Sequence, residues 1–247
     1  MTTAAIPSLA YHPLERLPVV RPVDRSSYVK ERCKGLRVLD LGAYDETEIV
    51  KPQHESWRWL HAEIASVAKE VLGVDASPSL PPEGLTTPSG TRIIRGEVEH
   101  LTKIIGDFRP DIIVAGEIIE HTPNTLGWLQ QLAKDAPGTK FIATTPNTTS
   151  IINLLLALLG RENNHQDHLQ VYSYKTLATL ASRIPLQGAA LTPSYYDPHI
   201  FRGRLPKAAS PLVTAADKLM LKPLQWLFPL TAFGWVIEGT FPAKLPD

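Results

Sequence analysis

Two short clusters of titratable residues are the side chains in this sequence best suited to acid–base chemistry. Glu120 and His121 follow an apolar run, and His165, Asp167 and His168 lie in a polar segment further along the chain. Histidine exchanges protons near neutral pH, so His168 is the first candidate for a base, followed by His121 and His165. Two imidazoles and a carboxylate can also ligate a divalent metal ion, but this close spacing in a loop is frequent without one. The pattern therefore favours substrate contact or proton removal, and a metal site is not favoured.

A second pattern, near the N-terminus, predicts a nucleotide-binding unit. The apolar run Val38 to Leu41 leads directly into Gly42. Such a run is typical of a strand that is buried on both faces, and glycine lets the backbone turn tightly and approach a ligand. About thirty residues later a second apolar run ends in Asp75, where a βαβ unit places an acid that accepts hydrogen bonds from both ribose hydroxyls. A helix-capping role is the alternative for Asp75, and its context favours the ribose.

The glycine turn argues against a dinucleotide. Tyr44 and Glu46 follow Gly42 at the alternate positions where a dinucleotide-binding turn has further glycines. A pyrophosphate must lie against the start of the helix, where Asp45 and Glu46 would repel it. An NAD(P)-dependent oxidoreductase is therefore a disfavoured alternative.

Alternating apolar patterns predict an α/β fold, with a mostly parallel sheet and helices on both faces. The predicted strands are 38–41, 71–75, 91–94, 111–115, 139–143, 187–192 and 235–241. The predicted helices are 26–33, 55–70, 101–108, 151–159, 173–182 and one opened by Thr122 and Pro123. Residues 77–90 are predicted to form a loop, and 195–230 an irregular insert whose apolar part roofs the pocket. We expect residues 1–34 to form an arm packed on a domain that spans 35–247.

Composition sets further limits. The chain has 247 residues, of which 25 are Lys or Arg and 25 are Asp or Glu. Nothing like a basic stripe for nucleic acid is visible in the sequence, so nucleic acid is not expected as a partner. Its single cysteine, Cys33, excludes an internal disulfide and is typical of a reducing compartment. The first residues lack an export signal, and the apolar run 151–159 is about half of the ~20 residues that a membrane span needs. We expect a cytoplasmic protein in which that run forms a buried helix.

In order and spacing, these motifs resemble those of the class I S-adenosylmethionine-dependent methyltransferases. The resemblance rests on 38–42, 72–75, Gly96-Glu97 and 111–121. It implies a Rossmann-like three-layer sandwich, with seven strands in the order 3-2-1-4-5-7-6 and the last strand antiparallel. Only the first of the family's three turn glycines is present. A sulfonium cofactor has no phosphate, however, so the acids that replace them weaken the dinucleotide interpretation more than this one.

The resemblance also implies a cofactor, a reaction and site residues. S-adenosyl-L-methionine would donate a methyl group to a hydroxyl, or less readily an amine, of a small molecule such as a secondary metabolite or sugar, leaving S-adenosyl-L-homocysteine. A catalytically inactive binding protein is the main alternative. The apolar stretch 212–230 is a candidate surface for a homo-oligomer. The implied cofactor-binding residues are Asp40, Gly42, Ala43, Tyr44, Asp75, Ala76, Gly96, Glu97, Val98, Gly116 and Glu117.

Overall fold

The computed structural model describes residues 6, 8–45, 59–195 and 210–244. Its strands are β1 Arg37–Leu41, β2 Glu70–Asp75, β3 Leu85–Thr86, β4 Arg92–Arg95, β5 Ile112–Gly116, β6 Lys140–Pro146, β7 Gln187–Ser194 and β8 Gly234–Thr240. Its α-helices are α1 Arg25–Cys33, α2 Leu60–Ala65, α3 Leu101–Ile104, α4 Thr125–Asp135, α5 Ile151–Leu158, α6 Tyr174–Arg183, α7 Ser210–Ala216 and α8 Lys222–Leu227. Short 3-10 turns cover Val98–His100 and Pro229–Thr231, and a π-helical turn, Asp217–Leu221, joins α7 to α8.

The strands form one sheet in the order β3-β4-β2-β1-β5-β6-β8-β7. Strands β4, β2, β1, β5 and β6 are parallel, whereas β8 runs antiparallel to both β6 and β7. The predicted α/β fold and the order of its seven strands are confirmed. The predicted count is wrong by one, because Leu85 and Thr86, inside the expected loop 77–90, pair antiparallel with β4 and add an edge strand.

Successive residues of the central strands pack in two separate cores, as the pleat of a strand requires. On one face, Val38 of β1 packs with Val29 of α1 and Ile64 of α2. On the other face, Leu39 of β1 belongs to the cluster that includes residues of α4 and α6, such as Leu129 and Leu177. The sheet is thus covered on both sides, which gives the three layers that the sequence predicted.

Helix α1, in the N-terminal arm, is fastened to the sheet by a part-buried polar cluster. Asp24 caps the helix by accepting from the amide of Ser27. The Tyr28 hydroxyl donates to Glu238 of β8 at 2.7 Å, and Arg32 pairs with the same carboxylate. Burial and the hydrogen bond to Glu238 raise the pKa of Tyr28 to about 12. The first turn of α1 lies near the carboxyl end of the parallel strands, because Arg25 donates to the Thr144 hydroxyl of β6 at 3.3 Å.

Several predicted helix boundaries are wrong. The crossover helix, expected over 55–70, is described from 60 and ends at Ala65, because β2 already begins at Glu70; residues 55–58 lie outside the described part. The helix expected over 101–108 ends at Ile104. The N-cap of α4 is Asn124, whose side chain accepts from the amide of Gly127, so Thr122 and Pro123 belong to the preceding turn.

Two apolar segments lie at the surface instead of inside. Helix α5 was expected to be buried, but only Ile152 is; Leu158 is 75 % exposed. The insert is not irregular in its described part, since 210–227 is helical, and several of its apolar side chains are exposed, Leu219 by 77 %. Among the described helices, none has the length and apolar character required to cross a membrane.

Candidate active site

A cavity of about 1110 Å³ opens at the carboxyl ends of the parallel strands, the place where open α/β sheets bind ligands. Thirteen of the fourteen predicted site residues line it. These are Asp40, Gly42, Ala43, Tyr44, Asp75, Ala76, Glu97, Val98, Gly116, Glu117, His121, His165 and His168.

Gly96 is the predicted site residue that does not line the cavity. A Cβ at this position would come within 2.5 Å of the Ile104 side chain, and its amide donates to the carbonyl of Asp75 at 2.9 Å. The glycine therefore lets β4 lie close to α3. In this structure its contribution is packing, which holds the neighbouring Glu97 and Val98 at the cavity wall.

The first turn brings Asp75 into contact with the backbone after β1. Gly42 has φ +72, a conformation that favours glycine, and its amide donates to the carbonyl of Val74 at 2.9 Å. One carboxylate oxygen of Asp75 accepts from the amide of Tyr44 at 2.9 Å, and the other accepts from that of Ser77 at 2.8 Å. A carboxylate oxygen can accept more than one hydrogen bond. Asp75 is thus a turn anchor as well as a cavity residue.

Asp40 and His61 form a buried pair beneath this turn. Nδ1 of His61 lies 2.8 Å from Oδ2 of Asp40, and its Nε2 lies 2.8 Å from the Thr91 hydroxyl. Trp59 packs against the His61 ring, with centroids 5.2 Å apart, and donates its indole N–H to the Ala43 carbonyl at 2.9 Å. Sequence reasoning missed Trp59 and His61 because their partners lie 16 and 21 residues away, beyond any local spacing rule.

Removing the imidazole should destabilise the fold. Substitution His61→Ala leaves the carboxylate of Asp40 buried without its partner, and we expect it to lower the free energy of unfolding by about 3 kcal/mol. Urea denaturation followed by circular dichroism measures this loss. His12→Ala, a matched change at an exposed histidine outside the cavity, should leave the free energy of unfolding within about 0.5 kcal/mol of the parent value. Equal midpoints for both variants would refute the structural role of His61.

Glu117 has an unusual backbone at the end of β5. Its φ is +55, although it carries a side chain, and its amide donates to the Thr144 carbonyl at 3.0 Å. Its carboxylate pairs with Arg25 of α1 at 3.2 Å. Sparsely populated backbone conformations of this kind concentrate at functional sites.

Glu120 lies behind the cavity wall and is not among the site residues predicted from the sequence. It is 1 % exposed, and neither carboxylate oxygen makes a hydrogen bond to another described residue. Burial, reinforced by the negative charge of Glu117, raises the pKa of Glu120 to about 9. The Thr145 hydroxyl lies close enough to oppose this shift, but outside hydrogen-bonding geometry.

Backbone hydrogen bonds bring the two histidine clusters together. The carbonyl of Glu120 accepts from the amides of Leu169 and Gln170, at 2.9 and 3.2 Å. This contact sets His168 edge-on against His121, with ring centroids 4.6 Å apart. His165 stands further out, with its ring 6.2 Å from that of His121.

The imidazole of His168 is suited to accept a proton. Burial lowers its pKa, and the adjacent His121 lowers it further, so the ring is neutral at pH 7. Its Nδ1 is buried and makes no hydrogen bond within the described chain. His165, in contrast, has a side chain 60 % exposed and lies 3.4 Å from Asp167.

The helical insert contributes polar groups to the other side of the cavity. Thr214, Asp217, Lys218 and Lys222 line it, and Lys222 lies 3.5 Å from Asp217. The exposed apolar side chains of the segment, such as Leu219 and Met220, are not part of the lining. Tyr195 also lines the cavity; the rest of 195–199, another predicted part of the roof, lies outside the described residues.

The charges of the lining fit a cation better than a phosphate. Arg25, Lys218 and Lys222 are its basic side chains, and carboxylates outnumber them. Around the first turn the described lining is acidic. The carboxylates that line the cavity there are Asp40, Asp45, Asp75, Glu97, Glu99 and Glu117. This donor set suits a ligand with ribose hydroxyls, an amino group and a positive centre; Glu46 lies outside the described residues.

Comparison with known proteins gives an independent result. A family model described as a methyltransferase domain matches residues 16–187. The match begins before α1 and ends at the start of β7, so it includes β1, β2 and β5, at whose carboxyl ends the cavity opens. No curated protein sequence matches the chain.

Solved structures share the fold at low sequence identity. A small RNA methyltransferase superposes with a TM-score of 0.55 at 13% identity, over 90% of this chain and 25% of that one. A putative methyltransferase from Haloferax volcanii, in complex with a methyltransferase activator, gives 0.50 at 12%, over 90% of both chains. Phosphoethanolamine N-methyltransferase 2 of Haemonchus contortus, in complex with S-adenosyl-L-methionine, gives 0.50 at 12%, over 89% and 52%.

Proposed function

The chain belongs to the methyltransferase-domain family, and from this premise we propose that it transfers the methyl group of S-adenosyl-L-methionine to a hydroxyl of a small molecule. The observation that supports this most is the acidic, phosphate-excluding lining around Asp75 at the carboxyl end of the sheet. An amine is the less favoured acceptor. We propose that the acceptor is a secondary metabolite or a sugar.

Each part of the cofactor has a matching group in the cavity. The carboxylate of Asp75 accepts from the ribose hydroxyls, Glu97 accepts from the adenine amino group, and Val98 packs on the ring. The carbonyl of Gly116 and the nearby acids face the ammonium group. When bound, S-adenosyl-L-methionine supplies an activated methyl group on a sulfonium. The chain's main contribution is therefore to hold the acceptor oxygen in line with it, which is the larger part of the rate enhancement.

The histidine cluster lies on the acceptor side of this arrangement and handles the proton. The acceptor hydroxyl loses its proton to the neutral imidazole of His168, with His121 as the second candidate and His165 the third. The hydroxyl oxygen then forms the new bond to the methyl carbon, and the electron pair of the broken C–S bond remains on sulfur. The products are a methyl ether, S-adenosyl-L-homocysteine and a protonated histidine that releases its proton to water.

Calorimetry tests the cofactor assignment directly. Titration of the whole chain with S-adenosyl-L-methionine, S-adenosyl-L-homocysteine and NAD should give saturable binding of the two adenosyl ligands and none of NAD. Binding of NAD without either adenosyl ligand would overturn the proposal. The acceptor can then be sought with methyl-tritiated cofactor and a panel of phenols, catechols, sugars and amines.

A binding protein without turnover is the second candidate, and one observation favours it. The amide of Tyr44 donates to one carboxylate oxygen of Asp75 at 2.9 Å. Part of the hydrogen-bonding capacity of Asp75, the proposed partner of the ribose, is therefore already used. Tight binding of S-adenosyl-L-homocysteine combined with no methyl transfer to any member of the panel would support this candidate.

The exposed apolar residues of the insert are consistent with a homo-oligomer through 212–230. Leu212, Leu219 and Met220 are 73%, 77% and 69% exposed, and large apolar patches seldom face water. We expect light scattering after gel filtration to show a mass above that of one chain. Leu219→Asp should return it to the monomer, whereas Leu14→Asp, at an exposed leucine of the arm, should not.

A further inference from the structure

Glu120 is a buried acid without a partner in the described chain, which requires a physical explanation. Both of its oxygens are enclosed and lack hydrogen bonds. A buried polar group without a partner costs about 1–3 kcal/mol, and native proteins contain few of them. The orphaned oxygens are not scattered but lie beside two imidazoles, one of which has its own unpaired ring nitrogen, Nδ1 of His168.

These groups have the arrangement of a metal site. One ligand atom from each of Glu120, His121 and His168 lies within 4.8 Å of the other two. In the tetrahedral geometry that zinc prefers, ligand atoms about 2.1 Å from the cation are about 3.4 Å from one another. Side-chain adjustments of under about 1 Å would thus bring all three atoms to coordination distance.

We propose that Glu120, His121 and His168 bind a divalent first-row transition metal ion at the acceptor end of the cavity. Two imidazole ligands favour zinc or cobalt over magnesium or calcium, which prefer oxygen ligands throughout. Three protein ligands leave coordination positions open towards the cavity. The inference adds the buried carboxylate of Glu120 to the predicted catalytic residues, and it places a metal ion where the sequence allowed one but did not favour it.

The surrounding structure supports a cation at this place. Arg25, a basic side chain of this end of the cavity, is already paired with Glu117, so it adds little repulsion. The loop that carries His168 is tied down, because Gln170 donates to the Thr122 carbonyl at 2.8 Å and Tyr172 donates to Gln170. Rigid support of this type holds metal ligands in their geometry.

The metal would also define what the acceptor is. This part rests on the proposed methyl transfer: a hydroxyl in contact with the cation has a lowered pKa and can give up its proton to water. His168 would then act as a ligand, and as a base only in the metal-free chain. Acceptors with two adjacent oxygens, such as catechols, should be preferred over simple phenols because both oxygens can approach one cation.

Metal binding can be measured without knowledge of the acceptor. The whole chain, stripped with a chelator and dialysed, is titrated with Co²⁺, Mn²⁺, Zn²⁺ and Mg²⁺ by calorimetry, and the visible spectrum of Co²⁺ is recorded. We expect one Co²⁺ per chain, a visible band, and weaker binding of Mg²⁺. Glu120→Gln and His168→Ala should each lower Co²⁺ affinity by about 10-fold or more.

Controls separate this proposal from the others. His12→Ala removes an exposed histidine outside the cavity and should retain the affinity of the parent. If Glu120→Gln does not fold, His121→Ala provides the same test at a partly exposed position. No stoichiometric binding by the parent chain, or equal affinity in all variants, would overturn the metal site. Binding of the adenosyl ligands, measured in the presence of chelator, tests the proposed cofactor independently of the metal site.

Discussion

Asp75→Ala should raise the dissociation constant of S-adenosyl-L-homocysteine by about 100-fold. The substitution removes two hydrogen bonds from ribose hydroxyls to a charged acceptor, each worth ~1.5–3 kcal/mol, and 1.4 kcal/mol corresponds to a factor of ten. Calorimetry measures the change. Asp107→Ala, at an exposed aspartate that does not line the cavity, is the matched control and should bind like the parent.

The structural role of Asp75 requires a second comparison, because its carboxylate also accepts from the amides of Tyr44 and Ser77. Loss of these two contacts alone would weaken the binding of any ligand that contacts the turn after β1. A 2′-deoxyadenosyl analogue distinguishes the two effects: the parent should bind it more weakly than the natural ligand, and Asp75→Ala should bind both equally. If the variant discriminates as strongly as the parent, Asp75 does not contact the ribose.

His168→Ala is expected to lower kcat by about 100-fold or more with the best acceptor of the panel, since a positioned base contributes ~10²–10⁴. The release of S-adenosyl-L-homocysteine provides the assay. His121→Ala should have a smaller effect, and His12→Ala none. The dissociation constant of the cofactor should change little in all three, because the imidazoles lie at the acceptor end.

Unchanged turnover in both His168→Ala and His121→Ala would eliminate the histidines from proton removal. Chelation adds a further distinction. If the parent loses turnover in chelator as His168→Ala does, the imidazole acts through the metal; if the parent keeps its rate, His168 is itself the base.

Local sequence patterns were sufficient where a residue's environment follows from its neighbours in the chain. The run Val38 to Leu41 is buried on both faces because β1 lies in the middle of a covered sheet, and this is why an apolar run identified it. Asp75 and Glu117 follow strand ends, and parallel strands place these ends at one edge. Thus most of the cavity lining at the ends of β1, β2 and β5 could be predicted without a structure.

The missing parts depend on contacts between distant segments. Nothing near Glu120 in the sequence shows that its carbonyl holds the loop after His168, so its burial and its place in the cluster were not predicted. Composition also misplaced α5: eight mostly apolar residues are typical of a buried helix, yet only Ile152 finds a partner surface. An apolar helix favours burial, but whether it is buried depends on whether another part of the chain packs against it.

Glu117 has a practical consequence for engineering this chain. Its left-handed backbone costs about 1–2 kcal/mol in a residue with a side chain, and glycine there would recover much of this. Consensus design or selection for heat resistance will therefore tend to choose glycine at this position. A stabilised variant with glycine at this position would lose the carboxylate that pairs with Arg25. A library designed for higher thermal stability should therefore keep Glu117 and vary other positions.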